Sequence, residues 1–396
     1  MDSTDNPPQD PRGMSRLRAV LASPGALPLV AARSVGALPV GMVPLGIILL
    51  LRARGDGYAL AGLAGGAYAG GVAFMQPPLG RLIDSFGMVA VLGPLVIAFP
   101  GTLVAFILTA ASGAPPAAIV AVALVSGATL PPLGACMRVL WPRLVAGEDL
   151  RATAFALDAT LQELSFVVGP PLLALLVAVA GARTGLLAAA GAGLAGTAVF
   201  AVRARPHHVH IERGGGALRS AGVRRVLAVS LLLGGGFGAT EVALPAFSEL
   251  HGARPAAGLL LAALALGSAV GGLAFGGRGA RMEPARRLAV CVAGYALLAA
   301  PMLAAPSIPV MALCTFLSGL PIAPAFAGSY TLLDRHAVAG TLTETFAWNT
   351  TMIFVGASIG TAVGGALIAP ASYRASIALS VVLGTAALAF VLRRSR

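Results

Sequence analysis

Long apolar runs follow one another along almost the entire chain, and short polar segments separate them. A helix of about 20 apolar residues spans the roughly 30 Å hydrocarbon core of a bilayer. Twelve runs reach about that length, and we expect each to form one membrane-spanning helix. The first six lie near residues 27–51, 57–79, 88–112, 116–140, 152–180 and 184–202. The second six lie near residues 225–249, 255–277, 287–305, 307–333, 340–369 and 373–392.

The unbroken apolar runs favour helices over a β-barrel, because barrel strands alternate apolar and polar residues over about 10 positions. The predicted fold is therefore all-α and polytopic, with one six-helix bundle at 27–202 and a second at 224–392. A linker at 203–223 joins the bundles, and tails at 1–26 and 393–396 flank them. The first 15 residues are polar and proline-rich, so we expect them to be disordered, and Met14 is a second candidate start of translation.

The composition excludes an ordinary soluble protein. The chain is 57% hydrophobic and 11% charged, with a mean hydropathy of +0.88, whereas soluble domains have about 25% charged residues. A net charge of +12 can indicate nucleic-acid binding. Here the basic residues are all arginines in short segments between spans, so we expect the lipid bilayer as a partner and no nucleic acid. Cys136, Cys291 and Cys314 lie in or beside apolar runs and are predicted to be small core residues.

The positions of the arginines predict the orientation of the chain. If the N-terminus is cytoplasmic, 21 arginines fall in cytoplasmic segments and 5 fall in external segments, while Arg33 lies inside the first span. Cytoplasmic loops carry an excess of basic residues. We therefore expect a multi-pass protein of the plasma (inner) membrane with both termini in the cytoplasm.

The two predicted bundles share a repeated sequence. Residues 155–160 of span 5 match residues 346–351 of span 11, at a spacing of 191 residues. The same spacing aligns Gly169 with Gly360, and a spacing of 192 residues aligns Pro132 in span 4 with Pro324 in span 10. Equivalent spans therefore match in order, which indicates two halves related by pseudo-twofold symmetry.

A charged segment bounded by glycines joins spans 2 and 3. It contains Gly80, Arg81, Asp84 and Gly87 within the pattern G-x-L-x-D-x-x-G. This segment resembles the signature loop of the major facilitator superfamily, although that family has basic residues after the last glycine where this chain has Met-Val-Ala at 88–90. We expect these four residues to form a gate on the cytoplasmic side, with Gly87 in a tight bend and Asp84 capping a helix N-terminus.

The resemblance covers essentially the full length and implies a secondary transporter that works by alternating access. The family has its substrate site between the two bundles, near the bilayer midplane. It implies a monomer that transports a small molecule by means of an ion gradient, with protons as the expected ion and no cofactor or catalytic residue. Efflux of an amphipathic or lipophilic compound is the first hypothesis, and a sugar or metabolite carrier is the alternative.

Two glycine-containing segments are predicted to pack helices closely. Gly169 and Pro170 in span 5 resemble part of a motif of proton-coupled exporters in the same superfamily. Gly356 and Gly360 in span 11 form part of a stripe of small residues at helical spacing. Small residues allow membrane helices to approach each other, so we expect helix packing at all four positions.

A few polar side chains lie inside predicted spans, where ionisable groups cost about 2.5–3.5 kcal/mol each. Burial favours the protonated form of a carboxylic acid, which a proton-coupled carrier requires. The candidates for proton coupling are Glu163, Glu241 and Asp158, and the candidates for the cavity or the substrate site are Arg33, Gln162, Trp348 and Asn349. Arg33 and Asp158 have similar predicted depths, which suggests an ion pair, although Asp158 could instead cap or extend from the end of its helix.

Other functional classes have weaker support from the sequence. An intramembrane lipid-modifying enzyme needs a nucleophile or a metal set near the interface, and all five histidines fall in predicted loops. His207, His208 and His210 could bind a metal, but they lie in a basic linker that solvent is expected to surround. The glycines at 234–238 lie within an apolar span without a preceding strand, which argues against a phosphate loop. We therefore expect neither a metal site nor an enzyme.

Overall fold

The computed structural model describes residues 13–56, 58–205, 216–252, 256–278 and 282–392, and nearly all of them are helical. In the first half the helices are α1 (Gly13–Ala22), α2 (Ala26–Ala53), α3 (Tyr58–Phe86), α4 (Met88–Ala111), α5 (Pro116–Ala128), α6 (Leu133–Leu144) and α7 (Glu148–Ala204). In the second half they are α8 (Ala221–Leu250), α9 (Ala256–Arg278), α10 (Pro284–Ala299), α11 (Ile308–Gly319), α12 (Ile322–His336), α13 (Leu342–Ala371) and α14 (Tyr373–Leu392).

Twelve membrane crossings can be recognised in these helices. Ten helical stretches of the described residues have the length and hydropathy of a membrane span. The longest, α7, has 57 residues, about 85 Å at 1.5 Å per residue, and is broken at Gly181, whose φ is 85° and ψ 164°. It therefore supplies two crossings, and the 29-residue helix α3 supplies another. The predicted all-α fold of two six-helix bundles is confirmed.

The interrupted spans have the same form in both bundles. Span 4 consists of α5 and α6, and span 10 consists of α11 and α12. The first breaks at 129–132 and the second at 320–321, next to the prolines Pro131, Pro132 and Pro321. Proline lacks an N–H and disrupts a continuous helix. Span 9 likewise ends in a 3-10 segment, Ala300–Ala304, that contains Pro301.

Three boundaries differ from the sequence expectations. Residues 13–15 begin helix α1, where we expected disorder, and residues 1–12 lie outside the described part of the chain. Helix α1 is amphipathic, and it is stabilised because Val20 is fully buried against the first bundle. Segment 80–87 is not a turn as a whole, since α3 continues to Phe86 and only Gly87 leaves the helical conformation. Helices α7 and α8 also extend into the predicted linker, of which residues 206–215 are outside the description.

Glycines hold the helices of each bundle close together. A Cβ atom on Gly169 would lie 2.9 Å from the Cα of Gly41, where α7 crosses α2. A Cβ on Gly360 would collide with the backbone of Gly235, where α13 crosses α8. Gly169 and Gly360 are the residues that the repeat aligns, so the two bundles use the same contact. At both positions the neighbouring helix lies too close for a side chain.

Gly356 and Pro170 take part in the same two crossings. A Cβ on Gly356 would collide with the carbonyl of Leu231 in α8. The ring of Pro170 lies beside Gly41, since a Cβ there would be 3.2 Å from the proline Cδ. The crossings of α2 with α7 and of α8 with α13 are therefore too close for larger residues.

The chain starts, passes from one bundle to the other and ends on one side of the molecule, which we call the terminal side. Helix α1, the segment Ala217–Arg219 and the last residues of α14 all lie there. An even number of crossings requires this arrangement. The other face is called the opposite side.

Candidate functional site

Asp84 joins the end of α3 in the first bundle to the start of α13 in the second. Its Oδ1 accepts a hydrogen bond from the backbone N–H of Thr343 at 3.0 Å, and its Oδ2 accepts one from the N–H of Glu344 at 2.8 Å. The first N–H groups of a helix lack partners within the helix and carry partial positive charge. Asp84, which is 7% exposed, therefore caps α13 across the boundary between the bundles, as the sequence suggested.

Gly80 and Arg81 complete this contact. A Cβ on Gly80 would lie 2.8 Å from the Cα of Glu344 and 2.9 Å from the carbonyl oxygen of Thr343, so only glycine allows α3 to approach α13 this closely. The Nη2 of Arg81 donates to the Oε1 of Glu344 at 2.7 Å. The second oxygen of Glu344 accepts a hydrogen bond from the N–H of Ala217 at 3.3 Å. This bond connects the segment before α8 to the start of α13.

Gly87 separates α3 from α4 and has φ 89° and ψ 153°. Residues with a side chain rarely adopt a positive φ of this kind, whereas glycine does so readily. The tight bend that we predicted at Gly87 is therefore present. This bend starts α4, which runs back across the membrane, directly after the part of α3 that contacts α13.

Two ion pairs connect the start of α7 with the end of α12 on the same side. The Nη2 of Arg335 lies 2.6 Å from the Oε1 of Glu148, and the Nη1 of Arg151 lies 3.9 Å from the Oδ2 of Asp334. Glu148 is 77% exposed, and ion pairs in contact with water contribute little to stability. We therefore expect these pairs to contribute to the alignment of the two bundles and to add little to their stability.

An aromatic cluster fills the space beneath these contacts. Phe155 of α7 packs against Tyr330 of α12 and Phe346 of α13, with ring centroids 6.3 and 6.1 Å apart. Tyr330 and Phe346 also meet edge to face at 6.3 Å. All three rings are buried. Together with Asp84 and Gly80 they form what we call the terminal seal.

A buried ionic cluster lies next to the seal. Asp158 is fully buried and binds two arginines, with Arg138 Nε at 2.8 Å from its Oδ2 and Arg33 Nε at 3.4 Å from its Oδ1. Arg33, also fully buried, donates from Nη2 to the amide oxygen of Gln162 at 3.0 Å. The suggested contact between Arg33 and Asp158 is thus present, and the alternative in which Asp158 extends from its helix end is wrong.

Arg138 is the residue of this cluster that sequence reasoning missed. We assigned it to a cytoplasmic segment, yet it is only 2% exposed and also contacts the second bundle. Its guanidinium lies 4.0 Å from the centre of the Tyr330 ring, and its Nη1 donates to the hydroxyl of Thr350 at 3.3 Å. One indication was in the sequence, because position 138 falls inside the predicted span 116–140.

The cluster contains two guanidinium groups and one carboxylate, so it keeps one excess positive charge. Burying each ion costs several kcal/mol unless partners offset it. Glu163, 7% exposed and one to two turns beyond Asp158 on α7, lies within electrostatic range of Tyr330, which contacts Arg138.

Glu163 of α7 and Glu241 of α8 belong to different bundles and lie near each other. Glu241, on α8, is close enough for its charge to act on Glu163, and its own side chain is exposed. Glu163 lies near the middle of its span, whereas Glu241 lies nearer the opposite side. Both acids therefore lie beyond the terminal seal, towards the opposite side.

A pocket of about 490 Å³ of empty space adjoins the ionic cluster. Its polar lining comes from Gln76, Gln162 and Thr350, and its apolar lining includes Val72 and Phe354. Gln76 is held by a hydrogen bond of 3.2 Å from its Nε2 to the carbonyl of Leu130. The pocket thus presents two amides and a hydroxyl on apolar walls, and Gln162 is the predicted cavity residue that lines it.

The other candidates for the cavity lie elsewhere. Asn349 is fully buried, and its Oδ1 accepts a hydrogen bond from Ser230 of α8 at 2.7 Å, inside the second bundle. Trp348 is partly buried against the apolar core. Neither residue lines this pocket, so the expectation that they belong to the cavity stays a prediction. Asn349 faces α8, because successive residues of a helix point in different directions.

The metal alternative rests on residues that the structure does not describe. His207, His208 and His210 lie in the segment 206–215, outside the described residues. Among the described residues, no three histidine, cysteine or acidic side chains form a group that could hold a metal ion. Cys136 and Cys291 are buried and unpaired, and Cys314 is partly buried and unpaired.

Known proteins resemble this chain in sequence family and in fold. A family model described as Major Facilitator Superfamily matches residues 29–337 and 226–396. No curated protein sequence matches the chain. A bacterial homologue of the iron transporter ferroportin, in an outward-facing state with soaked iron, is 13% identical with a TM-score of 0.76, covering 92% of this chain and 98% of that chain.

Two further solved structures share the architecture. The human organic anion transporter MFSD10 (TETRAN) is 15% identical with a TM-score of 0.68, covering 96% of this chain and 100% of that one. The proton:xylose symporter XylE, bound to 6-bromo-6-deoxy-D-glucose, is 10% identical with a TM-score of 0.72, covering 92% and 94%. At these identities the likeness establishes the fold and not the substrate.

Proposed function

Since this chain belongs to the major facilitator superfamily, we propose that it is a proton-coupled secondary transporter that exports a small amphipathic or lipophilic compound by alternating access. The observation that carries this proposal is the asymmetry of the contacts between the bundles. Asp84, Gly80 and the aromatic rings join the bundles on the terminal side. Glu163 and Glu241, one in each bundle, lie beyond that seal and are close enough for their charges to interact.

The excess of arginine on the side of the termini supports a cytoplasmic terminal side. With that orientation, the terminal seal closes the protein to the cytoplasm, and the proposed cycle has this state open to the outside. The transport cycle then requires Asp84 to release the N–H groups of Thr343 and Glu344, so that the bundles separate on the cytoplasmic side. Binding energy or protonation must offset the loss of these charge-assisted hydrogen bonds, each worth about 1.5–3 kcal/mol.

Glu163 is the proposed proton carrier. When the bundles close on the opposite side, Glu163 and Glu241 move closer together, and two negative charges in an apolar space repel each other strongly. Protonation of one acid removes this repulsion. Closing of the opposite side therefore becomes dependent on a proton, which is how an inward proton gradient can drive the cycle.

The pocket beside the ionic cluster supports an amphipathic substrate. Apolar side chains such as Val72 and Phe354 form much of its wall, and a few fixed hydrogen-bonding groups orient the ligand. The amides of Gln76 and Gln162 favour the alternative, a sugar or metabolite carrier, because amides can pair with hydroxyl groups. The similar structures are those of a homologue of an iron transporter, an organic anion transporter and a proton:xylose symporter, so the shared fold is compatible with different substrates.

The test uses purified protein in liposomes with a pH gradient and a panel of lipophilic cations, neutral drugs and sugars. We expect saturable flux of at least one compound, accelerated by the gradient. Glu163→Gln should retain counterflow of that compound, because counterflow needs no net proton movement, and should lose the acceleration. Glu249→Gln, an exposed acid near the end of α8, is the matched control and should behave as the wild type.

Two results would contradict this function. Chemical conversion of a compound without flux would indicate an enzyme. Full acceleration by the gradient in Glu163→Gln would remove Glu163 as the proton carrier, and the same measurement on Glu241→Gln would then decide whether the facing acid takes that role.

A further inference from the structure

A second pocket, separate from the central space, lies between the bundles on the terminal side. It contains about 850 Å³ of empty space, part of which is open to solvent, and its walls come from the start of α7, the start of α10 and the end of α12. Three arginines, Arg151, Arg287 and Arg335, and three acids, Glu148, Glu283 and Asp334, line it. We call it the terminal pocket. Neither the terminal seal nor the proposed proton path uses these arginines for binding.

Each acid of the terminal pocket already has a positive partner. Glu148 pairs with Arg335 at 2.6 Å, and Asp334 lies 3.9 Å from Arg151. Glu283 caps α10, since its oxygens accept from the backbone N–H groups of Ala285 and Arg286 at 3.2 and 2.9 Å. The acids are thus engaged, and two of the three arginines are matched.

Arg287 is the cation without a matching acid. It is only 6% exposed, and its Nη2 donates to the neutral hydroxyl of Thr331 at 3.0 Å. Its Nε is buried and has no hydrogen-bond partner within the described residues. Among the same residues no carboxylate pairs with Arg287, and the charge of Arg335 is near enough to repel it.

A buried, unpaired guanidinium is costly, because desolvation removes water from the charge without supplying a partner. Its planar N–H groups match the oxygens of a phosphate or a carboxylate. An anion between Arg287 and Arg335 would satisfy the free Nε of Arg287 and reduce the repulsion between the two guanidinium groups. A phosphate fits better than a carboxylate, because it offers oxygens in several directions to donors from both bundles.

We propose that the terminal pocket binds a phosphate-bearing anion and that this anion holds the terminal side closed. The pocket has this shape only while the two bundles touch, because Glu148 and Arg151 belong to the first bundle and Arg287 and Arg335 to the second. A ligand that binds one state alone stabilises that state in proportion to its occupancy. The anion therefore acts as a brake on the step that opens the terminal side.

Binding is measured by thermal unfolding of the full-length protein in neutral detergent, titrated with inorganic phosphate at constant ionic strength in chloride. We expect a saturable rise in Tm. Arg287→Gln should weaken the apparent affinity about tenfold or more, since a charge-assisted hydrogen bond contributes about 1.5–3 kcal/mol. Arg286→Gln, next in the chain but exposed on the other face of α10, should leave the affinity unchanged, and Arg287→Lys should retain part of it.

A second arm distinguishes a free phosphate from a lipid headgroup. The same variants are placed in nanodiscs of phosphatidylcholine with or without phosphatidylglycerol, and Tm is compared. A rise with phosphatidylglycerol that depends on Arg287, without an effect of inorganic phosphate, identifies a lipid headgroup. The reverse identifies a soluble phosphate.

Monodisperse elution of Arg287→Gln in size-exclusion chromatography establishes that this variant is folded. An equal affinity in Arg287→Gln and the wild type overturns the proposal, as does the absence of a saturable effect in both arms. Neither result tests the proposed transport function, because transport is measured separately by the counterflow assay.

Discussion

Phe155 and Phe346 occupy equivalent positions in the two halves of the chain, 191 residues apart, and their rings lie against each other with centroids 6.1 Å apart. Arg138 and Tyr330 repeat this relationship, with a spacing of 192 residues and 4.0 Å between the guanidinium carbon and the ring centre. Residues related by a twofold axis can meet only near that axis. The pseudo-twofold axis therefore passes through the terminal seal and the ionic cluster.

The symmetry is broken where the chemistry differs. Asp158 is equivalent to Asn349, yet Asp158 binds Arg33 and Arg138, whereas Asn349 binds Ser230 within its own bundle. At this pair of equivalent positions, the first bundle has a charged aspartate and the second has a neutral asparagine. This asymmetry confines the ion pairs of the cluster to the first bundle, with Asp158 on the same helix as Glu163.

Replacing Gly80 with valine should prevent the terminal side from closing. The new Cβ would lie 2.8 Å from the Cα of Glu344, and a backbone atom cannot move aside as a flexible side chain can. Overpacking costs about 1–3 kcal/mol, which corresponds to roughly a tenfold shift towards the open state. Thr343→Cys, buried in the closed state, reports the shift through its rate of alkylation by a maleimide, which should rise.

Gly66→Val is the matched control for this prediction. Gly66 lies on the same helix, and a Cβ there would meet nothing within 4 Å. The control should transport normally and leave the alkylation rate unchanged. Equal rates for Gly80→Val and Gly66→Val would show that the close approach of α3 to α13 is not needed for closing.

Asp84→Asn should weaken the terminal seal without affecting insertion into the membrane. The amide has one accepting oxygen in place of two charged ones, so one of the N–H groups at the start of α13 loses its partner. A lost cap costs about 1 kcal/mol, or about a fivefold change in population. Transport should fall, and alkylation at Thr343→Cys should rise about fivefold.

Asp56→Asn provides the comparison, because Asp56 lies just before α3, at the end opposite to Asp84, and pairs with Arg54. Unchanged transport in Asp84→Asn would assign Asp84 a structural role only.

The sequence predicted the parts of this molecule that depend on length and hydropathy. Twelve apolar runs became twelve crossings because a bilayer requires about 20 residues per helix, and Asp84 was identified through its spacing from two glycines. The burial of Arg138 was not predicted, because the assignment of arginines to cytoplasmic and external segments treats every arginine near the end of a span as solvated. Its burial depends on Asp158 and Tyr330 from two other helices, which no local pattern reveals.

Asn349 and Glu241 illustrate the second limit of sequence reasoning. Both interrupt apolar spans, yet Asn349 is buried against α8, whereas the side chain of Glu241 is exposed. The direction in which a side chain points depends on the rotation of its helix. That rotation is fixed by crossings such as Gly360 with Gly235, which are tertiary contacts.

Asp158→Asn should be the most damaging single change in the ionic cluster. It leaves two buried guanidinium groups without a carboxylate, and an uncompensated buried charge costs about 3–5 kcal/mol. Arg33→Gln should be milder, because Asp158 keeps Arg138 at 2.8 Å. Thermal unfolding in detergent measures both, and equal losses of Tm would contradict the shared role of Asp158.

The double variant Asp158→Asn with Arg33→Gln should recover part of the lost Tm, since only one unpaired guanidinium remains. A reversal of both charges, Arg33→Asp with Asp158→Arg, should not restore the protein, because the new arginine at 158 would face Arg138. Failure of that reversal is therefore compatible with the ion pair, and the neutral double variant is the informative experiment.

Removing helix α1 should destabilise the closed terminal side, whereas removing the residues before it should not. Helix α1 contacts α7 of the first bundle and α9 of the second. Within it, Arg16 is 3% exposed and lies 3.3 Å from Asp149, and Val20 is fully buried. Burial of one such aliphatic side chain contributes about 1.5–3 kcal/mol.

A chain that starts at Met14 should match the full-length protein in Tm and transport, while deletion of residues 13–22 should lower Tm and speed alkylation at Thr343→Cys. If the deletion leaves both unchanged, α1 does not connect the two bundles in a way that matters for closing.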